Sequence, residues 1–132
     1  MKSLSKTATK TFQKLIAGIT EYGEGRKVDN SNGTYMPVSV HLLTQTPLGK
    51  VYSVTHYFEQ NGDLMSDPDM TFLLADLNGE VYPMTYRQDS LGMYQVAVQF
   101  DNGKTLVRPK LQKDLATFAN RWMGSIKRQQ SL

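Results

Sequence analysis

Two Asn-Gly pairs, at residues 78–79 and 102–103, each separate two segments in which apolar residues alternate with polar ones. Both central residues of a type I′ turn need positive φ angles, which Asn and Gly adopt most easily. Each pair therefore predicts a β-hairpin. Because strands joined by so short a turn must run antiparallel, the middle of this 132-residue chain is constrained to an antiparallel sheet.

The alternating segments extend over residues 35–108, for which we predict a meander of about five to six antiparallel strands. Residues 94–100 have the clearest period of two in the chain and predict one continuous strand. The polar segment between His56 and Met70 is rich in turn-forming residues, so we expect a structured loop there.

Helical periodicity appears at both ends of the chain. Residues 7–22 and 109–128 each carry an apolar stripe at helical spacing, and Pro109 suits the first turn of the second helix. A sheet with one apolar face needs a cover, so the sequence predicts an α+β fold in which the terminal helices cover one sheet face. We assign residues 1–132 to a single domain, with residues 1–6 as a frayed tail and residues 23–34 as a polar linker.

Composition excludes several classes of protein. The chain has no cysteine, which rules out disulfides and thiolate chemistry, and its two histidines, His41 and His56, are too few for a four-ligand zinc site. Both lie in alternating segments, so we expect them to be semi-buried. We predict no cofactor. No secretory signal is visible and the longest apolar run, Phe72–Ala75, is too short to cross a bilayer, so we expect a cytoplasmic protein without membrane contact.

The net charge of +3 conceals an uneven distribution. Residues 1–27 carry a net charge of +4, residues 28–103 carry −7 and residues 104–132 carry +6. Such a separation of charge can steer a charged partner toward the protein. The alternative is that the basic ends neutralise the acidic middle within the fold.

The short segment between His56 and Met70 contains four carboxylates and lies between two predicted strands. Oxygen-rich loops can bind hard cations, but the spacing differs from that of an EF-hand, and turn formation explains the same residues. We therefore predict no metal site and keep a metal-dependent enzyme as the second alternative. As candidates for contact with a protein partner we take the carboxylates and two tyrosines, namely Glu59, Asp63, Asp67, Asp69, Tyr57 and Tyr94.

The basic terminal helices give the first alternative, a nucleic-acid-binding protein. Cations along a helix can contact phosphates, and exposed tyrosines can stack on bases. The acidic middle of the chain argues against this function because it would repel a nucleic acid. The candidate residues are Lys110, Lys113, Arg121, Lys127 and Arg128.

Three stretches in fixed order carry a family resemblance. They are residues 57–70, 88–95 and 108–122, which begin Tyr57-Phe58-Glu59-Gln60-Asn61-Gly62, Gln88-Asp89-Ser90-Leu91-Gly92 and Arg108-Pro109-Lys110-Leu111. Over residues 51–130 the chain resembles an uncharacterised bacterial domain of unknown function found on plasmids, conjugative elements and phage-like elements. The resemblance implies a mobile-element accessory protein and no catalytic residues. We interpret the chain first as a protein-interaction module, which could inhibit a host defence system.

Overall fold

The computed structural model describes residues 1–132, apart from the side chains of Glu59 and Gln60. In the described part of the chain, two α-helices flank eight strands. The helices are α1 (Lys6–Ile16) and α2 (Pro109–Gln129). The strands are β1 (Gly25–Val28), β2 (Val38–Thr46), β3 (Gly49–Gln60), β4 (Asp63–Ala75), β5 (Val81–Gln88), β6 (Met93–Val96), β7 (Val98–Asp101) and β8 (Lys104–Val107).

Strands β1 to β6 form one antiparallel sheet in which sequence neighbours are also spatial neighbours, so the predicted meander is confirmed. Strands β7 and β8 form a separate two-stranded sheet. The Asn102-Gly103 turn between them has φ angles of 49° and 77°, as a type I′ turn requires. The Asn78-Gly79 pair also connects two strands, but in a longer loop, where Gly79 is the residue with positive φ.

Both helices cover the same face of the six-stranded sheet, which confirms the α+β prediction. Phe12 of α1 is fully buried, and its ring centroid lies 5.7 Å from that of Tyr52 and 5.4 Å from that of Phe72. Trp122 of α2 packs edge-on against His56, with ring centroids 5.4 Å apart. Because Tyr52 and His56 are four positions apart on β3, their side chains share one face. We call the other side of the sheet the open face.

The N-terminal region differs from the prediction in two respects. Residues 1–6 are not a frayed tail, because the Leu4 N–H donates to the Val81 carbonyl at 2.8 Å and the Leu4 side chain is buried. The first helix ends at Ile16 rather than at residue 22. Gly18 has a φ of 82°, which turns the chain out of the helix and still allows Ile19 to reach the core.

Two further predictions about the polar segments were wrong. The linker predicted at residues 23–34 contains β1, which pairs with β2 and buries Val28. The loop predicted before Met70 is instead the end of β3 and the start of β4, joined by a tight turn at Asn61-Gly62. Long paired strands satisfy the backbone of this polar stretch, so its turn-forming residues need not form a loop.

The strand predicted at residues 94–100 divides at Ala97. The Ala97 N–H donates to the Met84 carbonyl at 2.8 Å, and the Ala97 carbonyl accepts from the Arg108 N–H at 2.8 Å. Residues before Ala97 therefore stay in the main sheet as β6, and residues after it pair with β8. Period-two alternation continues through such a switch, which is why the sequence pattern did not reveal it.

Gln112 ties the N-terminal segment to α2. Its side chain is buried, accepts from the Lys2 N–H and donates to the Lys2 and Pro83 carbonyls. We expect Gln112→Ala to lower the free energy of unfolding by about 1–3 kcal/mol, because buried partners lose hydrogen bonds. It should also accelerate hydrogen exchange at the Leu4 amide. Denaturant titration and exchange measurements check this against Gln13→Ala, an exposed glutamine of α1, and unchanged Leu4 exchange would contradict it.

Candidate functional site

The outward sides of the two helices carry eight exposed cations, and we call these sides the helix surface. Its cations are all exposed, and the two helices contain a single acidic residue, Asp114. In the described part of the chain, no carboxylate lies within 4 Å of a cationic nitrogen on this surface. The helix surface comprises Lys6, Lys10, Lys14, Lys110, Lys113, Arg121, Lys127 and Arg128.

A groove on this surface brings cations from both helices together. Lys10 and Lys14 of α1 and Lys127 of α2 line a groove of about 340 Å³. We call it the lysine groove. Its other described lining residues are uncharged: Thr7, Thr11, Gln13 and Ala17. Three ammonium groups around a concave surface produce a positive potential that favours a phosphate or another anion.

The cations extend from the lysine groove along α2. Lys113, Asn120 and Lys127 are spaced seven residues apart, which is close to two helical turns, so they share one side of α2. That side faces the N-terminal segment, since Asn120 accepts a 2.9 Å hydrogen bond from the Ser5 N–H. Glu80 adds a negative charge at one margin, where it lines a neighbouring groove with Lys6 and Lys10.

The five α2 cations predicted from the sequence are all exposed, but they occupy two sides of the helix. Lys113 and Lys127 lie on the side of Asn120, and Lys110, Arg121 and Arg128 lie on another side. The nucleic-acid alternative included both terminal helices, but its candidate residues included none from α1. Lys10 and Lys14 fall four residues apart and outside the apolar stripe, which predicts exposure on one helix side. That pattern could have identified the two lysines, but their approach to Lys127 depends on how the helices pack.

The open face carries a second polar site. Asp69 of β4 is the register partner of Thr55 on β3 and of Arg87 on β5, and Arg87 is the partner of Tyr94 on β6. A cavity of about 190 Å³ lies over this row, which we call the open-face pocket. Its lining residues are Asp69, Thr71, Thr85, Arg87 and Tyr94.

Hydrogen bonds and stacking order the open-face pocket. The Thr55 hydroxyl donates to Asp69 Oδ1 at 3.0 Å. The guanidinium carbon of Arg87 lies 5.3 Å from the centroid of the Tyr94 ring, within cation–π distance. Arg87 Nε is also 3.8 Å from Asp89 Oδ1. The pocket thus presents a carboxylate, a guanidinium and an aromatic ring side by side.

Burial raises the pKa of Asp69, although the Thr55 hydrogen bond and the Arg87 charge act in the opposite direction. A folded-state pKa above the unfolded value of 3.8 means that the folded protein binds this proton more tightly. The resulting stabilisation is present below that unfolded pKa and is lost as the pH rises. At neutral pH the ionised carboxylate therefore reduces the stability of the fold.

We expect Asp69→Asn to raise the melting temperature at pH 7, because the amide keeps an acceptor for Thr55 and carries no charge to desolvate. The difference from the unsubstituted protein should shrink as the pH approaches 3, where both side chains are neutral. Melting curves across this range, with the exposed Asp101→Asn as the control, check the prediction. A lower melting temperature at pH 7 would show that Asp69 stabilises the fold.

The carboxylates that the sequence grouped together are dispersed in the structure. Asp63 is exposed beside the Asn61-Gly62 turn, and Asp67 lies near His56 and Tyr86, which face the helices. Asp69 faces the open side as the register partner of Thr55, and the β3–β4 register shift between Thr55 and Tyr57 separates it from Asp67. The Glu59 side chain lies outside the described residues.

Among the residues that the structure describes, no three His, Asp or Glu side chains converge to hold a metal ion. The two tyrosines predicted as contact residues also separate. Tyr57 is half-buried opposite Ser66, whereas Tyr94 is exposed in the open-face pocket. The structure therefore brings Asp69 and Tyr94 together and leaves the other predicted contact residues apart from them.

His56 and Trp122 form a buried contact between the sheet and α2. Trp122 Nε1 donates to His56 Nδ1 at 3.4 Å, and in the described part of the chain His56 Nε2 is buried without a hydrogen-bond partner. Burial lowers the pKa of His56, partly opposed by the Asp67 carboxylate. His56 is thus a neutral core histidine, and His41 is half-buried. Neither helix in the described chain is long and apolar enough to cross a membrane.

Fold and sites define an α+β protein with a basic helix surface on one side and a polar pocket on the other. A family described as a domain of unknown function, DUF6908, matches residues 10–132, so the chain belongs to this family. The match includes most of α1, which the resemblance had left out. It confirms the resemblance as one to an uncharacterised family. No curated protein and no solved structure matches the chain.

Proposed function

We propose that this protein binds nucleic acid by holding the phosphate backbone against the helix surface. The observation that carries the proposal is the lysine groove, where Lys10, Lys14 and Lys127 converge and no described lining residue is a carboxylate. Neutralising phosphates with lysines releases condensed counterions, and this release supplies most of the affinity in binding that is independent of sequence.

The position of the acidic residues supports this function over the one favoured by the sequence. The acidic middle of the chain argued against nucleic-acid binding, but Asp69 belongs to the open face and Asp63 lies beside a hairpin turn. Glu80 lines the groove next to the lysine groove, and Asp114 is the acidic residue of the two helices. A phosphate backbone on the helices would therefore meet cations from both helices with little local repulsion.

The dimensions of α2 suit an extended polyanion. Lys110 and Arg128 are separated by about 27 Å along the helix at ~1.5 Å per residue, which is most of one ~34 Å turn of DNA. Backbone contacts fix position without reading the sequence. We therefore expect similar affinity for duplexes of different sequence.

The proposal is tested by reversing charge in the lysine groove. We expect Lys10→Glu with Lys127→Glu to weaken binding to a short DNA or RNA duplex by about tenfold or more, because two phosphate contacts become repulsive. Fluorescence anisotropy measures the affinity. The matched control is Lys27→Glu with Lys104→Glu, which makes the same charge change at exposed positions on β1 and β8. If both double variants weaken binding equally, the effect comes from net charge alone. That result would contradict a localised site.

A protein-interaction role is the second candidate, and one edge of the sheet favours it. Edge strand β6, Met93–Val96, carries no charge, whereas edge strand β1 is protected by Arg26 and Lys27. Natural proteins usually charge or cover exposed edges, because unpaired strand edges join other chains. Leu91, Met93 and Tyr94 are also exposed beside this edge.

The resemblance to a family of plasmids and conjugative elements supports a bacterial accessory protein in this second role, with a host defence protein as its target. We expect Leu91→Asp with Tyr94→Asp to abolish capture of a stoichiometric protein partner from nuclease-treated lysate. Leu77→Asp, at an exposed leucine in the β4–β5 loop, is the control. Loss of all partners after nuclease treatment would leave nucleic-acid binding as the function.

A further inference from the structure

We propose that the open-face pocket binds a neutral heterocycle that carries N–H donors beside a carbonyl acceptor, as along the Watson–Crick edge of guanine. This inference goes beyond the proposed function, because the pocket lies on the sheet face opposite the helices. Three properties of the pocket support it: an available acceptor, an available donor next to it, and a flat surface for stacking.

Asp69 supplies the acceptor. An ionised carboxylate has about four lone-pair sites and can accept two donors side by side. In the part of the chain that the structure describes, Thr55 is the one hydrogen-bond donor to this carboxylate, so most of its capacity remains available. Thr71 and Thr85 border the pocket, but their hydroxyls are 2.6 Å apart and bond to each other. A ligand with adjacent N–H groups would restore hydrogen bonds to a half-buried carboxylate.

Arg87 supplies the donor. Its guanidinium has five N–H donors, and its terminal nitrogens make no hydrogen bond to the described part of the protein. Asp69 and Arg87 are register partners on β4 and β5, so acceptor and donor are neighbours. An anion fits poorly because Asp69 and Asp89 repel it, and a cation without an acceptor leaves the Arg87 donors unused. A neutral group with a donor beside an acceptor complements both charges.

The shape of the pocket favours an aromatic ring. Its volume of about 190 Å³ corresponds to about six waters at ~30 Å³ each, which is room for one ring system. The Tyr94 side chain is 62% exposed, with Arg87 over its ring. Bases stack on aromatic rings and on guanidinium planes, whereas an aliphatic carboxamide gains nothing from such a surface.

The test compares guanosine with 1-methylguanosine, in which a methyl group replaces one N–H donor. Calorimetry or NMR titration should show guanosine binding about tenfold more tightly than the methylated nucleoside, since a bidentate pair discriminates by ~1–3 kcal/mol. Asp69→Asn and Arg87→Gln should each weaken guanosine binding by a similar factor. Asp101→Asn, at an exposed carboxylate, should not.

Three outcomes would overturn the proposal. Equal affinity for the two nucleosides would mean stacking without edge recognition, and absence of guanosine binding would mean that the pocket is not such a site. Tighter binding of N-acetylglutamine amide would assign it to an aliphatic carboxamide. Guanosine monophosphate should bind no better than guanosine, which distinguishes base from phosphate recognition. Lys10→Glu with Lys127→Glu should leave guanosine affinity unchanged, so this proposal and the proposed function can fail separately.

Discussion

Phe12→Ala is expected to lower the free energy of unfolding by about 3–5 kcal/mol, a large fraction of the ~5–15 kcal/mol that stabilises a typical domain. Phe12 is fully buried between α1 and the sheet, and its ring contacts Tyr52 and Phe72. Alanine would remove both aromatic contacts and leave a cavity that the long central strands cannot collapse to fill. Chemical denaturation monitored by circular dichroism measures the loss.

The matched control for this prediction is Phe100→Ala. Phe100 lies on β7 and is only partly buried, so the same truncation removes less apolar area from water. We expect the Phe12 variant to lose at least about twice as much stability as the Phe100 variant. Equal losses would mean that α1 does not anchor the fold through Phe12.

Acidification below pH 6.5 is expected to destabilise the protein through His56. Burial lowers the folded-state pKa of His56 below its ordinary value of 6.5, so the unfolded chain binds the proton more tightly. The free energy of unfolding is therefore unaffected by His56 protonation above pH 6.5. Below that pH it falls by up to about 1.4 kcal/mol per pH unit. Protonation would also place an N–H on Nδ1 opposite the Trp122 N–H, and two donors repel.

His56→Leu isolates this contribution. The variant loses the hydrogen bond from Trp122 but has no group to protonate, so its stability should vary less between about pH 7 and pH 5 than that of the unsubstituted protein. His41→Gln is the control, because it removes a half-buried histidine and should keep the acid sensitivity. The same acid sensitivity in His56→Leu would assign the effect to other groups, such as the carboxylates.

Hydrophobic periodicity predicted the helices and strands correctly where packing in the core buries their apolar faces. The antiparallel meander, the second helix and the cover on one sheet face followed from alternating residues in β2 to β5 and from the apolar stripe of α2. The predictions failed where backbone pairing overrides local preference. Turn-forming residues between Glu59 and Met70 are held in β3 and β4 by their neighbours, and Ala97 passes the chain to a second sheet without interrupting the alternation.

The lysine groove and the open-face pocket could be predicted less well than the helices and strands, because both depend on tertiary structure. Exposure of the α2 cations could be predicted from the sequence, but the lysine groove requires Lys10 and Lys14 to approach Lys127 across more than a hundred residues of chain. In the open-face pocket, Asp69 and Tyr94 appeared among the predicted residues, whereas Arg87 did not. Sheet register brings these three together, and strand register cannot be calculated from a period of two alone.

Salt dependence of duplex binding tests the central claim, that a phosphate backbone lies on the helix surface. Anisotropy titrations between about 50 mM and about 200 mM salt should give a linear fall of log affinity with log salt. Three phosphate contacts in the lysine groove predict a slope of about −2.7 or steeper for DNA. A slope shallower by about 1.8 in Lys10→Glu with Lys127→Glu, and an unchanged slope in Lys27→Glu with Lys104→Glu, would locate the phosphate contacts in the lysine groove. No detectable binding at the lowest salt, or affinity independent of salt, would contradict the proposal.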